Sequence, residues 1–213
     1  NLEPPAAFKE ALMELAASDA KGRHGYMPNT GYLETRQAIA SYIGAQEGVD
    51  LTPGDVVMTV GAAGALNVAL AAVLDEGDEV IILEPYFVEY KFYVQNHGGV
   101  VKVVSTTEDF DIDLDAIQAS LSERTKCIII NTPNNPTGRV YSQERIHDLG
   151  VMLADHERQY DTSIYLVVDT PYSKLTYDGV HNPRLFVEHP NTLIAHSFSK
   201  ELGLAGERIG FLA

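Results

Sequence analysis

Ile164-Tyr165-Leu166-Val167-Val168-Asp169, followed at once by Thr170-Pro171-Tyr172, is the stretch that decides the fold. The run up to Val168 has no alternation of polar and apolar residues. A short run of that kind, rich in β-branched residues, reads as a strand buried on both faces, the mark of a parallel sheet covered by helices. Runs of similar character occupy residues 56–60, 79–83, 100–104, 126–131, 192–197 and 208–212. Between them lie amphipathic stretches at 65–74, 88–96, 114–122 and 143–159. An earlier pair, 5–18 and 33–46, precedes the first strand. Turn signals separate the elements at Pro53-Gly54-Asp55, Glu76-Gly77-Asp78, Gly98-Gly99 and Asp178-Gly179. The β-α-β alternation predicts an α/β fold, three layers deep, around a mainly parallel seven-stranded sheet.

The chain has 213 residues, 45% of them hydrophobic, enough for one sizeable core. Charged residues at 21% argue against global disorder. Lys and Arg number 15 against 30 Asp and Glu, a formal charge of −15. So acidic a chain repels phosphate backbones, which excludes general nucleic-acid binding but not one phosphate in a cationic pocket. No apolar stretch has membrane-spanning length, and Asn1-Leu2-Glu3-Pro4-Pro5 lacks the features of a secretory signal. The chain lacks an initiator Met and stops inside an apolar run, so the expectation is a fragment of a longer protein. Cys127 is the only cysteine. No internal disulfide can form, which fits a reducing, cytoplasmic setting. Within Cys127-Ile128-Ile129-Ile130 it reads as a buried strand residue.

In open α/β sheets ligands sit beyond the carboxyl ends of the strands, and five such ends carry unusual residues. Gly61-Ala62-Ala63-Gly64 lets backbone amides approach an anion at a helix N-terminus, although a tight strand-to-helix turn uses the same residues. Glu84-Pro85-Tyr86-Phe87-Val88-Glu89-Tyr90 puts aromatics at the mouth of the sheet, for stacking on a flat ligand or for the core. Asn131-Thr132-Pro133-Asn134-Asn135-Pro136-Thr137-Gly138 is an irregular loop able to aim an amide into a site. Asp169 ends an apolar strand, so it must find a partner or shift its pKa, unless it caps a helix. Beside a heterocyclic nitrogen it would hold that nitrogen protonated. Last comes Ser197-Phe198-Ser199-Lys200-Glu201-Leu202-Gly203-Leu204-Ala205-Gly206-Glu207-Arg208-Ile209-Gly210. A lysine among hydroxyl and small residues suits a Schiff-base nucleophile, and an arginine clamps phosphate with two parallel donors.

The pattern Ser-Phe-Ser-Lys-x-x-Gly-Leu-x-Gly-x-Arg-x-Gly resembles that of the class I/II aminotransferases of pyridoxal 5′-phosphate (PLP) fold type I, the aspartate aminotransferase superfamily. The resemblance runs from about Gly25 to Ala213. It implies PLP as cofactor, with Lys200 as the Schiff-base lysine and proton shuttle. Asp169 resembles the partner of the pyridine nitrogen, and Tyr172 and Asn135 resemble the two partners of the ring hydroxyl O3′. Phe87 takes the stacking position. Ala62 and Ala63 resemble the phosphate turn, and Ser197, Ser199 and Arg208 its side-chain contacts. Tyr26 resembles the tyrosine that reaches the neighbouring subunit's phosphate, which implies a homodimer. The implied reaction moves an amino group between an amino acid and a 2-oxo acid. Residues 1–48 then read as a helical segment leading into a large PLP-binding domain at 49–213, with the last strand antiparallel.

Departures accompany the match. Ala62-Ala63 replaces the Ser or Thr frequent at the phosphate turn, and Phe87 stands where Tyr or Trp is frequent. No residue matches the arginine that binds the substrate α-carboxylate, which the family carries in a small C-terminal domain. The fragment alone is therefore expected to be inactive. Two other readings use the same residues: a PLP-dependent lyase, synthase or decarboxylase, and a non-catalytic PLP-binding regulatory domain. Of the seven histidines, His24, His97, His147, His156, His181 and His189 are scattered without metal-ligand spacing and are expected on surfaces or loops, so no metal is expected. His196 precedes the lysine motif and has no assigned role. The acidic stretch 108–113 lacks the residues of a calcium loop and is expected to be a solvated loop.

Overall fold

The computed structural model describes residues 3–19 and 25–213, so His24 lies outside the described residues. Among the described residues, seven strands form one sheet: β1 Val57–Val60, β2 Glu79–Glu84, β3 Val100–Ser105, β4 Thr125–Asn131, β5 Tyr165–Asp169, β6 Thr192–Ser197 and β7 Ile209–Leu212. Their order across the sheet is β1-β7-β6-β5-β4-β2-β3. Neighbours from β6 to β3 are parallel, and β7 runs antiparallel to both β1 and β6. Among the described residues there are seven α-helices: α1 Ala6–Ala17, α2 Leu33–Glu47, α3 Gly61–Val73, α4 Tyr90–Asn96, α5 Leu114–Ser120, α6 Gln143–Tyr160 and the single turn α7 Phe198–Glu201.

Side-chain parity along the central strands builds the layers. Val80, Ile82, Cys127, Ile129 and Val167 face Ala65, Leu66, Ala69 and Leu70 of α3. Their neighbours Ile81, Leu83, Ile128, Ile130, Leu166 and Val168 face Ile146, Leu149 and Leu153 of α6. Both faces are apolar because both are covered, so these strands lack alternation. A third cluster joins Ile39, Ala40 and Ile43 of α2 to Val56 and Phe211. Cys127 is fully buried in β4, and its burial pushes the thiol pKa well up.

Several expectations need correction. β3 is apolar but sits on the sheet edge, leaving Val100 and Val103 exposed. α3 begins at Gly61, not at residue 65, so Gly61-Ala62-Ala63-Gly64 is the first turn of the helix itself. Helix α1 has no buried residue, and Leu12, Met13 and Leu15 are exposed. His156 and His189 are buried and bond to the carbonyls of Ser122 and Ile164. His147 and His181 are exposed, and His97 is half-buried against Asn67. The acidic stretch is not simply solvated, because Asp109 and Asp111 pair with Arg139 and Asp111 also with Arg145. No helix among the described residues is long and apolar enough to cross a membrane.

Candidate active site

From β2 the chain steps outward to β3, then crosses back and proceeds through β4, β5 and β6 in the opposite direction. Crossovers that diverge in this way open a crevice at the carboxyl ends of the strands. A cleft of about 380 Å³ lies there. It is lined by Ala62 and Ala63 from α3, Phe87 after β2, Asn135 after β4, Asp169 and Tyr172 from the end of β5, and Ser197, Ser199, Lys200 and Arg208 around α7. Tyr26 does not line it and is fully exposed.

Asp169 is 6% exposed. Its Oδ2 accepts a hydrogen bond from Tyr90 Oη at 2.6 Å, while Oδ1 is buried with no partner among the described residues. Burial pushes the carboxyl up to about 6, against the pull of the Tyr90 hydrogen bond and of His196. An acceptor buried without a donor is costly, so Oδ1 is a position prepared for a donor. Burial also raises the hydroxyl of Tyr172 above its usual range, with the Asp169 charge acting in the same direction. The Tyr90 hydroxyl lies well above its usual range, through burial first and then Asp169. Tyr90 is therefore a hydrogen-bond donor at neutral pH.

The loop after β4 is clamped from beneath. Asn131 Nδ2 donates to the Asp169 carbonyl at 2.8 Å, and Asn131 Oδ1 accepts from the Asn135 backbone amide at 2.5 Å. Asn134 Oδ1 accepts from the Thr137 hydroxyl and backbone amide. Asn135 is thereby held over the cleft by backbone fixed on both sides.

At the other end, Gly61 has φ +70°, and a Cβ there would stand 2.8 Å from Arg208 Nη2. Glycine thus lets the guanidinium lie against the start of α3, bringing a cation to the amides of a helix N-terminus. Arg208 itself has φ 54° and donates through Nη1 to the Ala205 carbonyl at 3.0 Å. Ser197 caps α7 by accepting from the Ser199 amide, and its hydroxyl bonds the Ser199 hydroxyl at 2.8 Å. Lys200 is exposed at the cleft wall on the same turn.

Three further residues were not singled out as site residues in the sequence reading, although Tyr90 and Glu89 lie in the aromatic stretch at 84–90. Tyr90 lies beneath Asp169, and Glu89 and Tyr93 line the cleft with the Tyr93 hydroxyl bonded to Glu89. The spacing of Glu89 and Tyr93 on one helix face was a usable signal. Nothing in the sequence pairs Tyr90 with a residue 79 positions away.

Residues 1–213 match the family model described as aminotransferase class I and II. The chain is 36% identical over 213 residues to an aspartate/prephenate aminotransferase of Thermus thermophilus, covering 99% of this chain and 53% of that protein. It is 34% identical over 219 residues to aromatic-amino-acid aminotransferase 2 of Thermococcus litoralis, covering 100% of this chain and 54% of that protein. The crystal structure of an aminotransferase from Eubacterium rectale superposes with a TM-score of 0.96 at 36% identity, over 99% of this chain and 54% of that one. The chain spans about half the length of the curated relatives it matches. With that match over its whole length, the chain belongs to the class I and II aminotransferase family.

Proposed function

We propose that this chain is the cofactor-binding part of a PLP-dependent aminotransferase that moves an amino group between an amino acid and a 2-oxo acid. The observation that carries the reading is the unpartnered, buried Asp169 Oδ1 in one cleft with an exposed lysine and an arginine. PLP, when bound, supplies the electron sink that stabilises negative charge at the substrate α-carbon. Lys200 Nζ supplies the amine for covalent attachment and the base that moves the α-proton. Asp169 Oδ1 accepts from a protonated ring nitrogen, and that positive partner keeps its carboxyl ionised in a buried place. Tyr172 and Asn135 bond the ring hydroxyl, and Phe87 supports one ring face. The Ala62 and Ala63 amides, Ser197, Ser199 and Arg208 hold the phosphate dianion.

The reading includes a homodimer in which Tyr26 enters the partner's cleft. The full exposure of Tyr26 and the unburied face of α1 support it. It also includes a cytoplasmic setting and the division into a helical lead at 1–48 and a large domain at 49–213.

Titration with PLP, followed by borohydride reduction and peptide mass mapping, tests the cofactor reading. A pyridoxyl group on Lys200 is expected, and folded protein left unlabelled there would sink it. With labelled amino acid, the 2-oxo acid and pyridoxamine phosphate are expected together. An elimination or decarboxylation product instead would remove the transaminase assignment and keep the cofactor.

A further inference from the structure

His196 lies behind the cleft and takes no part in the roles above. It is 2% exposed, and its ring bonds at both nitrogens. Nδ1 is 3.1 Å from Thr170 Oγ1, and Nε2 is 3.1 Å from Glu201 Oε1. Thr170 directly follows Asp169, and Glu201 directly follows Lys200. We infer that His196 is a positioning residue that ties the strand end bearing Asp169 to the helical turn bearing Lys200. The inference rests on the cofactor roles proposed for those two residues.

The physical need for a tie lies in α7. A helix of four residues has no stability of its own. Its N-terminus is capped by Ser197. At its other end Glu201 turns inward, its side chain 5% exposed, and meets His196. A buried carboxylate needs a donor, and here the imidazole serves Oε1, while Oε2 is buried with no partner among the described residues. Because Glu201 only accepts, Nε2 carries the hydrogen. At Nδ1 two arrangements satisfy the network. A bare Nδ1 accepts from the Thr170 hydroxyl. A protonated Nδ1 donates to it, and the hydroxyl then bonds the Ala195 carbonyl 3.4 Å away. The tie holds in either form of the ring.

The ring is also fixed in orientation. Phe198 of α7 meets it edge-on at 5.5 Å between centroids, and Phe211 of β7 packs at 4.9 Å. The Thr170 amide donates to the Ala195 carbonyl at 2.9 Å, so the hydroxyl that meets Nδ1 stands on backbone already fixed. The same imidazole acts on Asp169 at long range, opposing the upward effect of burial on its carboxyl.

The test compares wild type with His196→Leu, Thr170→Val and Thr170→Ser in three readouts: PLP dissociation constant, visible circular dichroism of bound PLP, and amide hydrogen exchange of cofactor-free protein. Loss of a hydrogen bond to a charged group weakens an arrangement by about tenfold or more. His196→Leu should raise the PLP dissociation constant about tenfold, Thr170→Val, which removes a bond between uncharged groups, about fivefold, and both should change the dichroism. Thr170→Ser, which keeps the hydroxyl, should restore both. Exchange across residues 198–203 should quicken in His196→Leu while that of β4 stays unchanged. Thr170→Val decides the matter if His196→Leu does not fold, since it keeps the shape of the side chain. Variants with wild-type affinity, dichroism and local exchange, in a protein whose wild type labels at Lys200, would overturn the tie and leave the cofactor reading standing. A wild type that does not label at Lys200 removes the cofactor reading, and unchanged exchange in His196→Leu would then remove the tie as well.

Discussion

Replacing Asp169 with Asn should make the cofactor-free protein more stable at neutral pH. The carboxyl is pushed from 3.8 to about 6 by burial. Across that window the folded chain holds a proton that the unfolded chain has released. Stability therefore falls as pH rises through it, and above it the penalty is complete. At ~1.36 kcal/mol per pH unit the full penalty approaches about 3 kcal/mol. Asparagine removes the charge and can still accept from the Tyr90 hydroxyl with its amide oxygen. Its amide nitrogen, where Oδ1 now lies unpartnered, gives back about 1 kcal/mol or more as an unpaired buried donor. A net gain of about 1–2 kcal/mol remains at pH 7.5.

Urea unfolding of wild type and Asp169→Asn at pH 7.5 and pH 4 measures this. With a slope of about 2 kcal/mol/M, the midpoint should rise by roughly 0.5–1 M at pH 7.5. At pH 4 the wild-type carboxyl is largely protonated in the fold, and the gain should vanish. PLP should reverse the order at pH 7.5, because a ligand that binds only the folded state stabilises it in proportion to affinity and the variant loses the ring-nitrogen contact. A variant less stable at pH 7.5, or an equal gain at both pH values, would refute the reasoning.

Gly210→Ala should destabilise the fold by about 1–3 kcal/mol in the same urea assay. A Cβ there would stand 2.5 Å from the His196 carbonyl and 2.6 Å from the backbone of Gly61, none of it flexible side chain. Arg208→Lys should weaken PLP binding about tenfold or more in a fluorescence titration, since an ammonium cannot reproduce the two-donor geometry. Affinity within twofold of wild type would remove Arg208 from the phosphate site. Cys127 should resist thiol reagents in the native protein and react at the rate of unfolding, because it is fully buried and its thiol pKa is pushed up. Fast labelling under native conditions would contradict the buried β4 position.

The strands were legible because burial on both faces leaves a signal that needs no partner to be seen. Residues 192–197 match β6 in full, and 126–131 falls one residue short of β4. The same signal misleads at the sheet edge. Residues 100–104 are as apolar as a central strand, yet β3 leaves Val100 and Val103 exposed, because apolarity states what a residue tolerates and not which strand lies beside it. The turn α7 left no trace in periodicity, since four residues span little more than one helical turn. His156 and His189 were placed outside by their scatter. Each is held inside by a backbone carbonyl that only the folded register brings near.

The candidate site divides along the same line. Its lining was legible because each residue sits at a strand end or within four residues beyond it, so finding the strands located Phe87, Asn135, Asp169 and Lys200 together. The layer beneath was not. Tyr90 reaches Asp169 across 79 residues and His196 reaches Thr170 across 26. Both distances follow from strand order, with β4 between β2 and β5 and β6 beside β5. Chemistry shows that Asp169 at the end of an apolar strand needs a partner. Only topology shows that Tyr90 satisfies one oxygen and that the other is buried without a partner among the described residues. That difference between the two oxygens of one carboxylate is what the proposed role of Asp169 toward a cationic ligand rests on.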